Sequence, residues 1–288
     1  MPEPVPRTTH WDIAAESVSG SAHIRRNKPC QDYQGSKRYD DAPVPCICLA
    51  VADGHGSEKS PKSALGAEIA VRKSLEKLQA FAQGANQKPF DVINTFVQEQ
   101  LSRHIVKEWT DAVRTKEPMR ADLPTLFLEY GSTLLSVLIT PQYILYLQLG
   151  DGDILRVAAD GTVSRPIPKN PRLFANETTS LSMIDKRTGQ PNAWLEMSIV
   201  LEPITDPQNT PALIIVSTDG YANSFSSEAG FLQVGSDMLS IIQTDGWKKV
   251  ERGLVDWLKE TTAIGSGDDI TVGLLHNNTA KTTTLRGR

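Results

Sequence analysis

The chain has 288 residues, 39% of them hydrophobic and 22% charged, with a formal net charge of −4. That length accommodates one large domain or two small ones; the slight acidity argues against a nucleic-acid partner, and no apolar stretch approaches the roughly 20 residues needed to cross a bilayer. The proline-rich start, Met1-Pro2-Glu3-Pro4-Val5-Pro6, lacks the basic and apolar regions of a signal peptide, and three cysteines leave one unpaired, so a cytoplasmic protein is expected.

Residues 1–11 read as a loose N-terminal lead, followed by short candidate strands at 12–19 and 32–37. The unbroken apolar run at 46–52 predicts a buried strand, with Cys46 and Cys48 sharing one face as small core residues. Helical spacing of Ala64, Leu65, Ile69, Ala70, Leu75 and Leu78 predicts a helix over 61–82, with Ser60 as its cap and Pro61 in its first turn. A second amphipathic helix is expected over 89–113, its stripe formed by Val92, Phe96, Leu101, Ile105 and Trp109. Residues 133–139 and 143–149 then read as a hairpin, and 154–158 as a strand ending at the Asp160-Gly161 turn. Prolines and glycines crowd 164–193, which predicts a long loop. Strands follow at 194–201 and 212–216, helices at 235–243 and 247–261, and a last strand at 270–275, before a polar tail, 277–288, expected to be disordered. Runs of strands broken by paired helices, without regular alternation, predict an α+β fold of mainly antiparallel sheets with helices packed outside, as a single domain over 12–276.

Four of the apolar strands abut acidic turns: Asp53-Gly54-His55-Gly56, Gly150-Asp151-Gly152-Asp153, Thr218-Asp219-Gly220 and Gly267-Asp268-Asp269. Asp53 and Asp219 follow their strands, whereas Asp268 precedes one and Asp32 opens one. In antiparallel neighbours the end of one strand lies beside the start of the next, so these carboxylates can meet at a single sheet edge. Clustered aspartates repel unless a cation neutralises them, and oxygen ligands without a cysteine or histidine cluster favour Mg²⁺ or Mn²⁺ over zinc. Such a centre can lower the pKa of a water and neutralise phosphate charge, which points to phosphoester hydrolysis.

In this order the motifs Val51-Ala52-Asp53-Gly54-His55-Gly56, Gly131-Ser132-Thr133, Leu149-Gly150-Asp151, Ser217-Thr218-Asp219-Gly220 and Asp268-Asp269-Ile270-Thr271-Val272 resemble the metal-dependent protein phosphatases of the 2C type, from about residue 14 to 276. The resemblance implies a four-layer α/β/β/α architecture, a central antiparallel β-sandwich flanked by helix pairs. It also implies a binuclear Mn²⁺ or Mg²⁺ centre with a weaker third ion, and hydrolysis of phosphoserine or phosphothreonine by a metal-bridging water, without a covalent intermediate. Carried over to this chain, Asp53 would bridge both metals, Gly54 would offer its carbonyl, and Asp219 and Asp268 would complete the other ion. Asp151 matches the third-metal position of bacterial relatives, Asp32 the acidic residue of the N-terminal motif, and His55 the general acid. Phosphoprotein substrates and a cognate serine/threonine kinase are the implied partners, with a role in bacterial signalling.

Two departures stand out. Gln31 replaces the usual glutamate before Asp32, and Asn27 stands where the phosphate-gripping arginine is usual, leaving Arg25 and Arg26 as candidates. His10, His104 and His276 read as surface residues, and Trp109, Trp194, Trp247 and Trp257 as packing. Two other functions use the same residues: a catalytically inactive binding module that docks partners through 164–193, or a hydrolase of small phosphoesters.

Overall fold

In the computed structural model, which describes residues 10–169, 179–206 and 210–280, the strands form two five-stranded sheets with every neighbouring pair antiparallel. One sheet runs β1 (Trp11–Val18), β10 (Ile270–Asn277), β9 (Leu213–Ser217), β6 (Asp153–Val157), β7 (Val163–Ser164). The other runs β2 (Tyr33–Tyr39), β3 (Cys46–Ala52), β4 (Leu134–Ile139), β5 (Tyr143–Leu149), β8 (Ser198–Pro203). The helices are α1 (Ser21–Arg25), α2 (Ser63–Gly84), α3 (Phe90–Phe96), α4 (Ser102–Lys116), α5 (Leu123–Glu129), α6 (Asp219–Ala222), α7 (Glu228–Asp245) and α8 (Trp247–Ile264). No helix among the described residues is long and apolar enough to cross a membrane.

β3 is apolar at every position because both of its faces are covered. Cys46, Cys48, Ala50 and Ala52 belong to one core cluster with Ala67, Ala70, Val71 and Leu78 of α2 and Ile105 and Trp109 of α4. The alternate residues Ile47, Leu49 and Val51 belong to a second cluster with Leu135 and Val137 of β4 and Ile154, Ile214, Val216 and Leu275 from the other sheet. The small side chains on the first face let α2 approach closely, and Ser74 of α2 hydrogen-bonds Ser136 of β4 at 2.8 Å in that buried seam. A third cluster joins Leu155, Ile215, Val272 and Leu274 to Phe231 and Leu239 of α7 and Leu254 and Leu258 of α8. Truncating a side chain in such cores to alanine costs about 2–5 kcal/mol.

The helix expected over 89–113 is interrupted by a π-helical segment, Val97–Leu101, between α3 and α4. Among its buried residues, Ile93, Val97, Leu101, Ile105, Trp109 and Val113 recur at every fourth position. In a regular α-helix each such step drifts by about 40°, so the wide turn returns the stripe to the core. Val92, assigned to that stripe by its spacing, is 48% exposed, and its neighbour Ile93 is buried instead.

Other boundaries differ from expectation. Ser60 does not cap α2: Lys62 occupies the cap position without a side-chain bond, while Ser60 is buried and donates to the Leu128 carbonyl at 2.8 Å. The strand expected over 194–201 begins as a 3₁₀ turn at Ala193–Leu195 and becomes β8 only from Ser198. The predicted helix at 235–243 starts earlier, because Ser227 caps α7 by accepting from the Gly230 N–H. The helices α1, α5 and α6 carry too few residues for a periodic signal. β10 extends through Asn277, which is buried, and Trp11 of the expected lead is the buried first residue of β1. Residues 1–9, 281–288 and the 170–178 part of the expected long loop lie outside the described residues. His276 is half-buried rather than a surface residue, stacked on Trp247 at 5.6 Å and bonded to Asp12 at 3.2 Å.

Candidate metal centre

The antiparallel registers carry the acidic turns to one edge of both sheets. Tyr33 pairs with Ala52, which puts Asp32, just before β2, beside Asp53, just after β3. Val51 pairs with Leu135 and Leu134 with Leu149, bringing Thr133 and the Gly150-Asp151 turn to the same end. In the other sheet Ser217 pairs with both Asp153 and Val272, so Asp219 beyond β9 and Asp268 before β10 arrive together.

Backbone contacts set the turns. The Asp53 N–H donates to Thr133 Oγ1 at 2.9 Å and the Thr133 N–H to the Asp53 carbonyl at 2.8 Å. A Cβ on Gly54 would stand 2.7 Å from the Gln31 carbonyl oxygen and the Ser63 backbone, so only glycine permits this approach. The His55 N–H donates to the Gly131 carbonyl at 3.1 Å, and its ring carbon Cδ2 fills the place where a Gly131 side chain would begin. Gln31, the residue that replaces a carboxylate, braces this turn: its Nε2 donates to Ser63 Oγ at 2.6 Å and to the His55 carbonyl at 3.3 Å.

Burial dominates the electrostatics. It pushes the Asp53 carboxyl well above the usual carboxylate range, reinforced in turn by the charges of Asp32, Asp219, Asp268 and Asp151. Asp32 is raised to about 7, mainly by burial, with hydrogen bonds from the Thr218 and Thr271 side chains pulling the other way. Asp219 is raised to about 6 by burial and then by Asp151 and Asp268. Side-chain hydrogen bonding to Asp53 opposes the rise at both Asp32 and Asp219. Burial lowers His55, opposed by the negative charge of Asp151.

Four of the aspartates singled out by the sequence, Asp32, Asp219, Asp268 and Asp151, therefore act on the fifth, Asp53, as their common neighbour. Among the described residues no three His, Cys, Asp or Glu side chains are already spaced around one point as ligands. The chemistry still fits a hard cation: buried oxygens that must share protons to coexist are those a divalent ion would relieve. A cavity of about 350 Å³ between α2 and α3, lined by Phe81, Val92, Phe96 and Leu101, carries no carboxylate and lies away from this edge.

The raised pKa values make stability depend on pH. Asp32 and Asp219 rise from the ordinary carboxylate value of 3.8 to about 7 and about 6, so their contribution is fully present below pH ~4. It is lost as pH rises through the folded values. In EDTA the unfolding temperature should fall between pH ~4 and ~7 more steeply than with Mn²⁺, and Asp32→Asn should flatten part of that slope. Calorimetric scans with parallel pH profiles in EDTA and Mn²⁺ would contradict this.

The protein phosphatase 2C family matches residues 19–259, a span that includes Asp32, Asp53, Asp151 and Asp219. The chain belongs to that family. Serine/threonine-protein phosphatase 3 of Escherichia coli (strain K12) is 26% identical over 146 residues, 50% of this chain and 53% of that protein. The chain thus spans about half the length of the curated relative it matches. The catalytic domain of the serine/threonine phosphatase PstP, solved with two manganese ions, is similar with a TM-score of 0.56 at 18% identity, covering 92% of this chain and 97% of that one. Staphylococcus aureus Stp1 gives 0.58 at 11% identity over 92% and 94%. At these identities the likeness establishes a protein phosphatase 2C fold, to which the α+β reading conforms.

Several residues at this phosphatase 2C edge carried no assigned role in the sequence. Asp269 is buried and accepts from the Gly20 and Gln31 N–H groups, both at 2.7 Å. Thr218 Oγ1 donates to Asp32 at 2.7 Å and accepts from the Thr271 N–H at 3.0 Å, joining the two sheets. The sequence signal for both was adjacency to an acidic turn, but nothing in it distinguished them from ordinary turn residues. Arg25 ends α1 and lies 3.4 Å from Ser21 Oγ, and Arg26 follows as its C-cap; both are exposed, and neither contacts the acid cluster.

Proposed function

We propose that this chain is a metal-dependent phosphoprotein phosphatase that removes phosphate from phosphoserine and phosphothreonine, with residues 12–276 as its catalytic domain. The observation that carries this reading is the convergence of Asp32, Asp151, Asp219 and Asp268 on the buried Asp53 at one sheet edge of a protein phosphatase 2C chain. Asp53, central to the cluster, would bridge two ions, with the Gly54 carbonyl on one and Asp219 and Asp268 on the other. Asp151 would serve a weaker third, and Asp32, hydrogen-bonded by Thr218, would hold its place beside them. Bound Mn²⁺ or Mg²⁺ supplies a neutralising charge for the phosphate and a lowered pKa for an attacking water.

His55 then gives a proton to the departing seryl or threonyl oxygen. Burial holds its ring toward the neutral form, and the negative charge of Asp151 and of an incoming phosphate favours the protonated form that a general acid needs. Arg25 and Arg26 are our candidates for gripping the phosphate, as exposed cations on the segment that carries His23. The substrates are phosphoproteins modified by a serine/threonine kinase in a signalling system. The three free cysteines support a cytoplasmic place for it. An inactive binding module is disfavoured because every aspartate of the cluster is intact.

Phosphate release from a phosphothreonine peptide should require Mn²⁺ or Mg²⁺ and stop in EDTA. His55→Ala should lose about 10²-fold or more on the peptide and less on an aryl phosphate, whose better leaving group needs less protonation. Equal losses on both substrates would remove His55 as general acid, and metal-independent release would sink the whole reading.

A further inference from the structure

α1 has five residues and buries none of them, so neither helix propensity nor core packing accounts for its position. Ile24, its large apolar side chain, is 62% exposed. Polar contacts hold the helix instead, to the last turn of α8 and the loop that follows it, more than two hundred residues away. The Ser21 N–H donates to Thr262 Oγ1 at 3.1 Å, Ser21 Oγ to the Thr262 carbonyl at 3.2 Å, and the Ala22 N–H to the Gly267 carbonyl at 2.8 Å. Thr262 Oγ1 in turn donates to the Asp268 carbonyl at 2.8 Å. Gly20 lies so close that a Cβ there would stand 2.4 Å from the Asp268 carbonyl carbon.

This docking delivers one side chain to the acid pair. His23 is 15% exposed, with Nε2 3.4 Å from Asp268 Oδ1 and Nδ1 3.0 Å from Asp269 Oδ1. Asp269 is already fixed by the Gly20 and Gln31 N–H groups, whereas the Asp268 side chain is 51% exposed. Burial therefore does little to orient Asp268. Apart from its own neighbour, the Asp269 N–H at 2.9 Å, the partner of its carboxylate among the described residues is His23.

We propose that His23 is a positioning residue that aims the Asp268 carboxylate at a divalent cation, an inference that rests on reading the acid cluster as a metal centre. A partner that orients a metal-binding carboxylate typically contributes 10–100-fold to metal affinity. The exposed helix α1 is then the means by which the start of the chain shapes a ligand supplied by its end.

Titration calorimetry of Mn²⁺ into the full chain tests this, using wild type, His23→Ala, His23→Phe, His23→Gln and Ile24→Ala. His23→Ala and His23→Phe should weaken Mn²⁺ binding by about 10-fold or more. His23→Gln, which keeps an N–H donor, should recover part of the loss, and Ile24→Ala, on the same helix, should bind as wild type does. Unfolding midpoints in EDTA should agree across the set, separating orientation from folding; if His23→Ala does not fold, His23→Phe decides. Wild-type affinity in His23→Phe, or an equal loss in Ile24→Ala, overturns the proposal while leaving the metal centre standing. A wild type that takes up no Mn²⁺ overturns the metal reading and this inference with it.

Discussion

Asp53→Asn should reduce kcat/KM for a phosphothreonine peptide by about 10³-fold or more and at the same time stabilise the protein in EDTA above neutral pH. The two effects share one cause. Asp53 is buried beside Asp32, Asp219, Asp268 and Asp151, and its ionised form is disfavoured first by desolvation and then by each of those charges. An amide of the same shape removes a carboxyl whose ionisation is penalised in the fold, so the protein without metal gains stability at pH values where that carboxyl would be forced to ionise. The same substitution removes the proposed central oxygen ligand, and with it the neutralisation of phosphate charge on which the rate would depend. Phosphate release and calorimetry on one preparation check both halves. Retained turnover would remove Asp53 from the centre, and a lower unfolding temperature in EDTA would contradict the electrostatic account.

Gly220→Ala should destabilise the protein by about 1–3 kcal/mol and weaken Mn²⁺ binding. A Cβ at Gly220 would stand 2.1 Å from the Asp269 carbonyl oxygen and 3.3 Å from the Asp268 Cβ. The first obstacle is backbone at the start of β10 and cannot rotate away. Relief requires the Asp219 turn and the Asp268-Asp269 turn to separate, and these turns bring two of the proposed ligands together. Gly84, at the end of α2, is the matched control, because a Cβ there meets nothing within 4 Å. Gly84→Ala should be neutral or stabilise by up to about 1 kcal/mol, since alanine is the better helix former. Urea unfolding in EDTA and Mn²⁺ titration read the two effects separately; equal behaviour of the two variants would show that the close approach at Gly220 is readily relaxed.

The legible parts of the fold were those where one physical signal ran long enough to stand out. β3 was bounded correctly because an apolar strand covered on both faces stops only where the core stops, at Asp53. The edge shared by the acidic turns could likewise be foreseen, because antiparallel pairing leaves the end of β3 beside the start of β2. The π-turn was not legible: residues four apart satisfy a helical pattern locally, and the accumulated drift shows only against a fixed core. Ser60 read as a cap from its neighbours, but its hydroxyl bonds the Leu128 carbonyl, 68 residues on. Gln31 read as a lost charge because the sequence shows composition and not direction; in the fold its amide braces Ser63 and the His55 carbonyl.

The sequence by itself determined the apolar strands and the aspartates and glycines that end them, and hence the expectation of hard-cation chemistry, because covalent order places each carboxylate at a strand boundary. Only the tertiary structure decided which of those groups meet, how far burial raises Asp32, Asp53 and Asp219, and that His23 reaches Asp268 and Asp269 across the chain. The reason is physical: desolvation and charge–charge coupling depend on distances through space, and strand pairing makes neighbours of groups that the linear order keeps far apart.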